Sequence, residues 1–459
     1  LTPELKPFYG GTYYPPENTP GRIGFKNLLN ELHKVWTEDR KGIDERAARS
    51  VEKLQEHLDN ENTAVAYINH DTLVQKAYDD LSGSFDYHEG GFGGAPKFPR
   101  PTTLNMLMRI HRILAERKDN DRESESNWAM EMTVKTLRGM ANGGMRDHVG
   151  GGFHRYSVDA YWHIPHYEKM LYDQAQLLTA YVEGWQITQT AFFETIARNT
   201  VAYLKRDLRH KDGGFFSAED ADSEGVEGKF YCWQLDELTD VTGPDAPEVI
   251  RYFGVTASGN FTDPHTGFRG NVLHAVDRTE DRPPEVTRAI PRLRDARDRR
   301  VRPGLDDKVL LGWNALFLRT LVEAAVALDR SDWMEAAHAN ARFLLERMRR
   351  DDGRWLRSWQ DGRAAILAYA EDYAALLEAW CTLAELDDVQ WLLEARHVAD
   401  ELLELFEDPE DGGFFTTGRD GEALIVRPKD VEDHATPAAS SLAAAGLLRL
   451  ATLTGEPRY

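Results

Sequence analysis

The chain has 459 residues, and its 77 acidic against 55 basic side chains give a formal charge of −22 at neutral pH. Such a surface repels polyanions, which excludes nucleic acid and anionic membranes as partners, and no apolar run approaches the ~18 residues that a spanning helix needs. Lys occurs 15 times and Arg 40 times, with the acidic excess spread along the whole chain, the pattern of a salt-adapted cytoplasmic surface. Length alone sets a prior of about three domains. Cys232 and Cys381 lie far apart and form no CxxC pair, so a disulfide framework is excluded and both read as small core residues.

Residues 1–14 read as two short extended runs, ended by the breaker Pro15-Pro16. There is no initiator Met and no signal peptide, and Leu1 falls inside the first run, so the chain is expected to be cut from a longer one. Phe25, Leu28, Leu29, Leu32 and Trp36 keep helical spacing, and a more charged helical pattern covers 44–58. Residues 1–60 are too few for their own core and read as a domain fragment, leaving 61–459 as the main domain.

From about residue 68 a repeat sets in, marked by a small turn before an aromatic. Gly90-Gly91-Phe92, Gly151-Gly152-Phe153, Gly213-Gly214-Phe215, Gly353-Arg354-Trp355 and Gly412-Gly413-Phe414 recur about every 60 residues, with one long interval that places an insertion near 236–300. Each marker sits between two helical patterns, the second more apolar, as in 128–140 followed by 170–185. The second helices open with polar residues: Asp173-Gln174, Asn314, Glu371-Asp372 and Glu432-Asp433-His434. A helix without a polar face must be surrounded by protein. The expected fold is therefore mainly α, an (α/α)6 toroid truncated in its sixth hairpin, with first helices outside and a pocket at the end where the inner helices start.

Four stretches carry a resemblance to a known family: Gly91-Phe92-Gly93-Gly94-Ala95-Pro96-Lys97-Phe98-Pro99, Asp147-His148-Val149-Gly150-Gly151-Gly152-Phe153-His154-Arg155-Tyr156, Pro165-His166-Tyr167-Glu168-Lys169-Met170-Leu171-Tyr172-Asp173 and Ser217-Ala218-Glu219-Asp220-Ala221-Asp222-Ser223-Glu224-Gly225. They resemble the thioredoxin-domain-containing family that includes spermatogenesis-associated protein 20 and bacterial YyaL. The resemblance implies a thioredoxin-like α/β domain, of which 1–60 is the C-terminal fragment, followed by a toroid related to N-acylglucosamine 2-epimerases and six-hairpin glycosidases. It implies no thiol chemistry for this chain, because the family's redox segment lies upstream of Leu1.

The densest chemical cluster runs from Asp147 to Asp173. Neutral imidazole beside a carboxylate can take and return a proton near pH 7, so His166 with Glu168 is a candidate acid/base group, with His434 at the last inner-helix start as its partner across the funnel. Arg155, His154, Tyr156, Trp162, His163 and Lys169 are candidate substrate contacts, as are Trp313, Asn314 and Trp355 beside the other turns, where aromatic faces suit sugar rings. Lys169 with Asp173, and Lys429 with Asp433, also have the spacing of simple i,i+4 pairs. Asp220 and Asp222, crowded with Glu219 and Glu224, and Asp372 are candidate carboxylates for glycoside cleavage. His163, His166 and Glu168 lack metal-ligand spacing, and the Gly pairs form no phosphate loop, so neither a metal nor another cofactor is expected. The readings are a sugar epimerase using the His pair, a glycosidase using a carboxylate pair, or a non-catalytic toroid that binds a glycan or a protein.

The acidic surface carries a prediction. Screening relieves self-repulsion within a Debye length of ~3 Å at molar salt, so the unfolding midpoint should rise as KCl or any other simple potassium salt is raised toward 1 M; a flat response removes the salt-adapted reading.

Overall fold

The computed structural model describes residues 1–61, 69–116 and 123–459, the side chains of 57–61 excepted. The chain separates into two compact units, one of Leu1–Tyr67 with Leu405–Asp430, the other of Ile68–Glu404 with Val431–Tyr459.

In the smaller unit, helices α1 (Phe25–Glu38) and α2 (Arg40–Glu61) bury Leu28, Ile43 and Ala47. The extended runs expected over residues 1–14 form no strand; the one bridge in 1–24 joins Thr19 and Arg22. A strand needs a neighbour to take its backbone hydrogen bonds, and the described residues of this segment supply none.

Among the described residues the larger unit is built on five helical hairpins. Their outer helices are α3 (His70–Ser84), α5 (Glu123–Asn142), α7 (Ala191–Tyr203), α12 (Ser331–Arg347) and α14 (Trp391–Phe406). Their inner helices are α4 (Pro101–Glu116), α6 (Leu171–Thr188), α11 (Leu311–Ala327), α13 (Ala370–Leu386) and α15 (Ala439–Thr454). The inner helices pack in sequence, α4 on α6, α6 on α11, α11 on α13 and α13 on α15. Side chains of α4, α6, α11 and α15 meet around a cavity of about 50 Å³, as a toroid of inward-facing helices requires. The lack of a polar face explains this placement: α6 is buried on all sides from Leu171 to Val182, as is α11 from Leu311 to Leu318 except at Trp313. The insertion folds into α8 (Leu235–Thr242), α9 (Ala246–Phe253) and α10 (Pro284–Arg297), around Trp233, Leu238, Val249, Phe253 and Leu293.

The repeated turns are built alike. In each, the aromatic bridges back to the residue before the turn, as in Phe85 to Phe92 and Arg146 to Phe153, and Phe92, Phe153, Phe215, Trp355 and Phe414 are all buried. In three turns an Asp side chain accepts the amides two and three residues on, and a lysine binds its other oxygen and the carbonyl of the first Gly. The pairs are Asp86 with Lys97 at 2.6 Å, Asp147 with Lys169 at 2.7 Å and Asp408 with Lys429 at 2.7 Å. These ties replace the expected i,i+4 pairs of Lys169 with Asp173 and Lys429 with Asp433, because a buried ammonium takes the carboxylate that its own turn offers.

Inner helices then fasten the turns from within. The Gln174 amide accepts from Phe153 N at 2.8 Å and donates to Phe153 O at 2.7 Å, and Asn314 does the same for Phe215 at 2.8 and 3.0 Å. Gly152 has φ +75°, and a Cβ there would lie 2.6 Å from the Tyr203 ring. Gly152→Ala should thus cost at least the ~1–3 kcal/mol of a strained backbone position, read as a lowered midpoint in urea unfolding.

Candidate functional site

A cavity of about 700 Å³ opens at the end of the larger unit where the inner helices begin. Its walls include Phe98, Arg100 and Thr102 at the start of α4, Arg155 from the loop before α6, Tyr172 and Asp173 in the first turn of α6, and Asp433, His434 and Ala435 before α15.

Asp173 dominates the chemistry. It is 4% exposed, and its Oδ2 has no hydrogen-bond partner. A first-turn carboxylate normally gains from the helix dipole. Here burial drives the Asp173 carboxyl well above the ordinary carboxylate range, against the pull of Arg155 and with the push of Glu168. Burial therefore favours the protonated form of Asp173. Beside it Arg155 is fixed on two sides, donating from Nε to the Tyr172 hydroxyl at 3.1 Å and from Nη1 to Glu168 Oε2 at 2.8 Å.

Glu168 leads on to His166. Its imidazole lies 3.2 Å from Glu168 Oε2 and donates from Nδ1 to Glu227 Oε1 at 2.8 Å, while Tyr156 stacks on it at 5.0 Å. Hydrogen bonds to Glu168 and then Glu227 raise His166 to about 9, so it is a cation at pH 7 and cannot serve as the neutral base expected of it. The Tyr156 ring in turn packs at 4.7 Å against Phe98, which is 42% exposed in the pocket. His434 does line the pocket, but α15 begins only at Ala439, so it stands in a loop and not in a first turn. Pro437 accounts for the late start, since a proline turns the residue before it away from helical geometry.

Several other expected contacts are committed to structure. Trp162 is fully buried and donates to the carbonyls of Glu89 and Gly90. His154 donates from Nδ1 to Tyr167 O at 2.9 Å, and burial lowers it to about 3. His163 lies ring to ring with His274 at 4.0 Å and is lowered to about 4, by burial first and His274 second. Lys169, 1% exposed, is spent on Asp147, and burial, Arg297 and Lys169 together leave that carboxyl well below its usual range because the two cations outweigh burial. Asn314 and Trp355 are buried in their turns, whereas Trp313 is half-buried with its ring 4.7 Å from Tyr172.

The expected carboxylates lie apart from this pocket's walls. Asp220 and Asp222 are exposed near the hairpin of Asp222–Ser223 with Val226–Glu227. Asp372 is buried, accepting from Gly312 N and Tyr369 N, each at 2.9 Å, and from Arg357 at 2.8 Å. Arg155 and His434 line the same cavity, while His166, which reaches Arg155 through Glu168, and Asp220 are not among its lining residues. Asp173 was hidden in the sequence behind ordinary helix-start chemistry; the signal for it is a first-turn acid on a helix too apolar to show that turn to water. Among the described residues no group of three or more His, Cys, Asp or Glu is placed to hold a metal ion, and no helix is long and apolar enough to cross a membrane.

The fold and pocket define a helical-hairpin toroid of the six-hairpin type, with a pocket at the inner-helix starts. Solved structures similar to the chain include cellobiose 2-epimerase from Spirochaeta thermophila, at 16% identity over 83% of this chain and 98% of that one with a TM-score of 0.35. An unsaturated glucuronyl hydrolase specific for heparin matches at 12% identity over 83% and 97%, with a TM-score of 0.41. A sequence model of the Thioredox_DsbH family, described as a protein of unknown function, DUF255, matches residues 1–55. The chain is homologous along its length to the spermatogenesis-associated protein 20 family: it is 34% identical to the human protein over 99% of this chain and spans 63% of that relative's length.

The His166 clamp has a pH signature. An imidazole raised from 6.5 to about 9 on folding stabilises the fold fully below pH about 6.5 and loses that contribution as the pH rises through about 9. The wild-type midpoint should fall over that window, and His166→Gln should flatten the fall; an equal fall in both proteins contradicts the clamp.

Proposed function

We propose that this pocket processes a sugar by acid and base chemistry, with Asp173 giving the proton. The observation that carries the reading is a buried carboxyl, one oxygen of which has no hydrogen-bond partner and whose protonated form burial favours, on the wall of a cavity of about 700 Å³. A group of that kind can hand its proton to a substrate oxygen, a role that contributes roughly 10²–10⁴-fold to a rate. Phe98, backed by Tyr156, offers a flat apolar face to the C–H face of a sugar ring. Arg155, oriented by Glu168 and Tyr172, has N–H groups left for sugar hydroxyls.

His434 supplies the base. It removes the proton from the carbon next to an open-chain carbonyl while Asp173 protonates the carbonyl oxygen, the course of an epimerase or isomerase. His166 is a positioning group in this scheme, acting through Glu168 on Arg155. Glycoside cleavage is the second reading, supported by Asp433 beside His434: one buried carboxyl, whose protonated form burial favours, and one exposed carboxyl share the pocket, as acid and base of a hydrolysis would.

Asp173→Asn keeps the shape and removes the acid. On a panel of free sugars and short glycans it should lower turnover by about 10²-fold or more while leaving binding intact. Solvent deuterium at a sugar carbon marks the epimerase course, and new reducing ends mark cleavage. A sugar that is bound without either signal, or full turnover by Asp173→Asn, sinks the catalytic reading.

A further inference from the structure

The loop that carries Asp147 encloses a second space, separate from the sugar pocket. It measures about 20 Å³ and is walled by Arg146, Asp147, His148 and Arg297 among others. That is room for one water-sized particle, since a water needs roughly 10–15 Å³. Its walls hold unused nitrogens: His148 Nδ1 and Arg297 Nε are buried without a hydrogen-bond partner. Arg146, 5% exposed, makes one long bond, 3.5 Å from Nη1 to the Ala141 carbonyl, and among the described residues it has no ion-pair partner.

The charges do not balance. Arg146 has no carboxylate of its own: the two oxygens of Asp147 are already taken by Arg297 at 2.7 Å, Lys169 at 2.7 Å and the amides of Val149 and Gly150. Glu219, whose charge also acts on Lys169 and Arg297, is held by Arg302 at 2.8 Å. A buried cation without a counter-charge is costly, and burial followed by the field of Arg282 brings Arg146 down to about 9. Such a cluster within a chain of charge −22 calls for an anion, and the volume restricts it to a monatomic one.

We propose that this cavity is a buried chloride site, in which Arg146 and the Nε–H of Arg297 donate to the ion and tie α10 of the insertion to the loop before α6. His148 adds a proton to the equilibrium. Its Nε2–H donates to the Gly143 carbonyl at 2.9 Å, so Nδ1 can donate to the ion only when the ring is protonated. The groups facing that ring, Arg146, Arg282 and His274, all oppose its protonation, and the Phe253 ring of α9 packs edge-on against it. Chloride opposes the field of these three, so its binding favours the protonated ring.

Unfolding of the full chain in KCl and in potassium gluconate at equal ionic strength separates this site from general screening. The midpoint should be higher in KCl, by a margin that widens from pH 8 to pH 6, and Arg146→Gln should abolish the margin while keeping the common response to salt. A bromide-soaked crystal should show an anomalous peak within hydrogen-bonding reach of Arg146 and Arg297 Nε. Equal midpoints in the two salts, or an ordered water without an anomalous signal, overturn the proposal. Should Arg146→Gln fail to fold, His148→Gln serves instead: its chloride margin should no longer vary with pH, and a margin that still widens toward pH 6 contradicts the site.

Discussion

An aspartate that folds its own turn, and a lysine that then locks it, is the interaction on which the larger architecture rests. Asp147 turns the chain by taking the amides of Val149 and Gly150, and Lys169 joins its free oxygen to the Gly151 carbonyl. The lock makes a long loop rigid by tying its start to its end, twenty-two positions apart, directly before α6 begins. With both ends fixed, the aromatic Phe153 is held under Gln174, and the first turn of α6 arrives at a defined place. Asp86 with Lys97 repeats the device before α4. Two of the helix starts that wall the large pocket are thus set by ion pairs, and the Asp147–Lys169 pair is removed from water, where Coulomb attraction is strong and loss of a partner is severe.

Much of the fold could be read in the chain because its signals are periodic. The spacing of the Gly-aromatic turns located five hairpins, and the apolar second helices told which ones face inward. One long interval between turns set 236–300 apart, and that segment holds α8, α9 and α10. The extended runs of residues 1–14 misled, because propensity cannot say whether a partner strand is at hand. His434 misled for a related reason: polar residues recur before inner helices, but Pro437 defers the start of α15, and a pattern of residue types does not register that delay.

The site was less legible, because residue type does not reveal which partner a side chain takes. His166 has the right chemistry for a base, yet Glu168 and Glu227 flank it and hold it charged. Trp162, His154 and Asn314 are types that often meet ligands, and all three are spent on backbone groups within the loops. Asp173 went the other way. Its position suggested a routine helix start, and only the burial of the whole first turn of α6 gives its carboxyl an unusual proton affinity.

Asp173 and Gln174 are consecutive, so the group assigned to proton transfer and the amide that holds Phe153 move as one body. Sliding or rotating α6 to suit a different molecule would pull Gln174 off the turn and release the loop that positions Arg155. The helix side of the pocket is therefore frozen by its structural duties. A pocket that accepts a different molecule is more simply reached by exchanging Phe98 or His434, whose side chains hold none of the turns described.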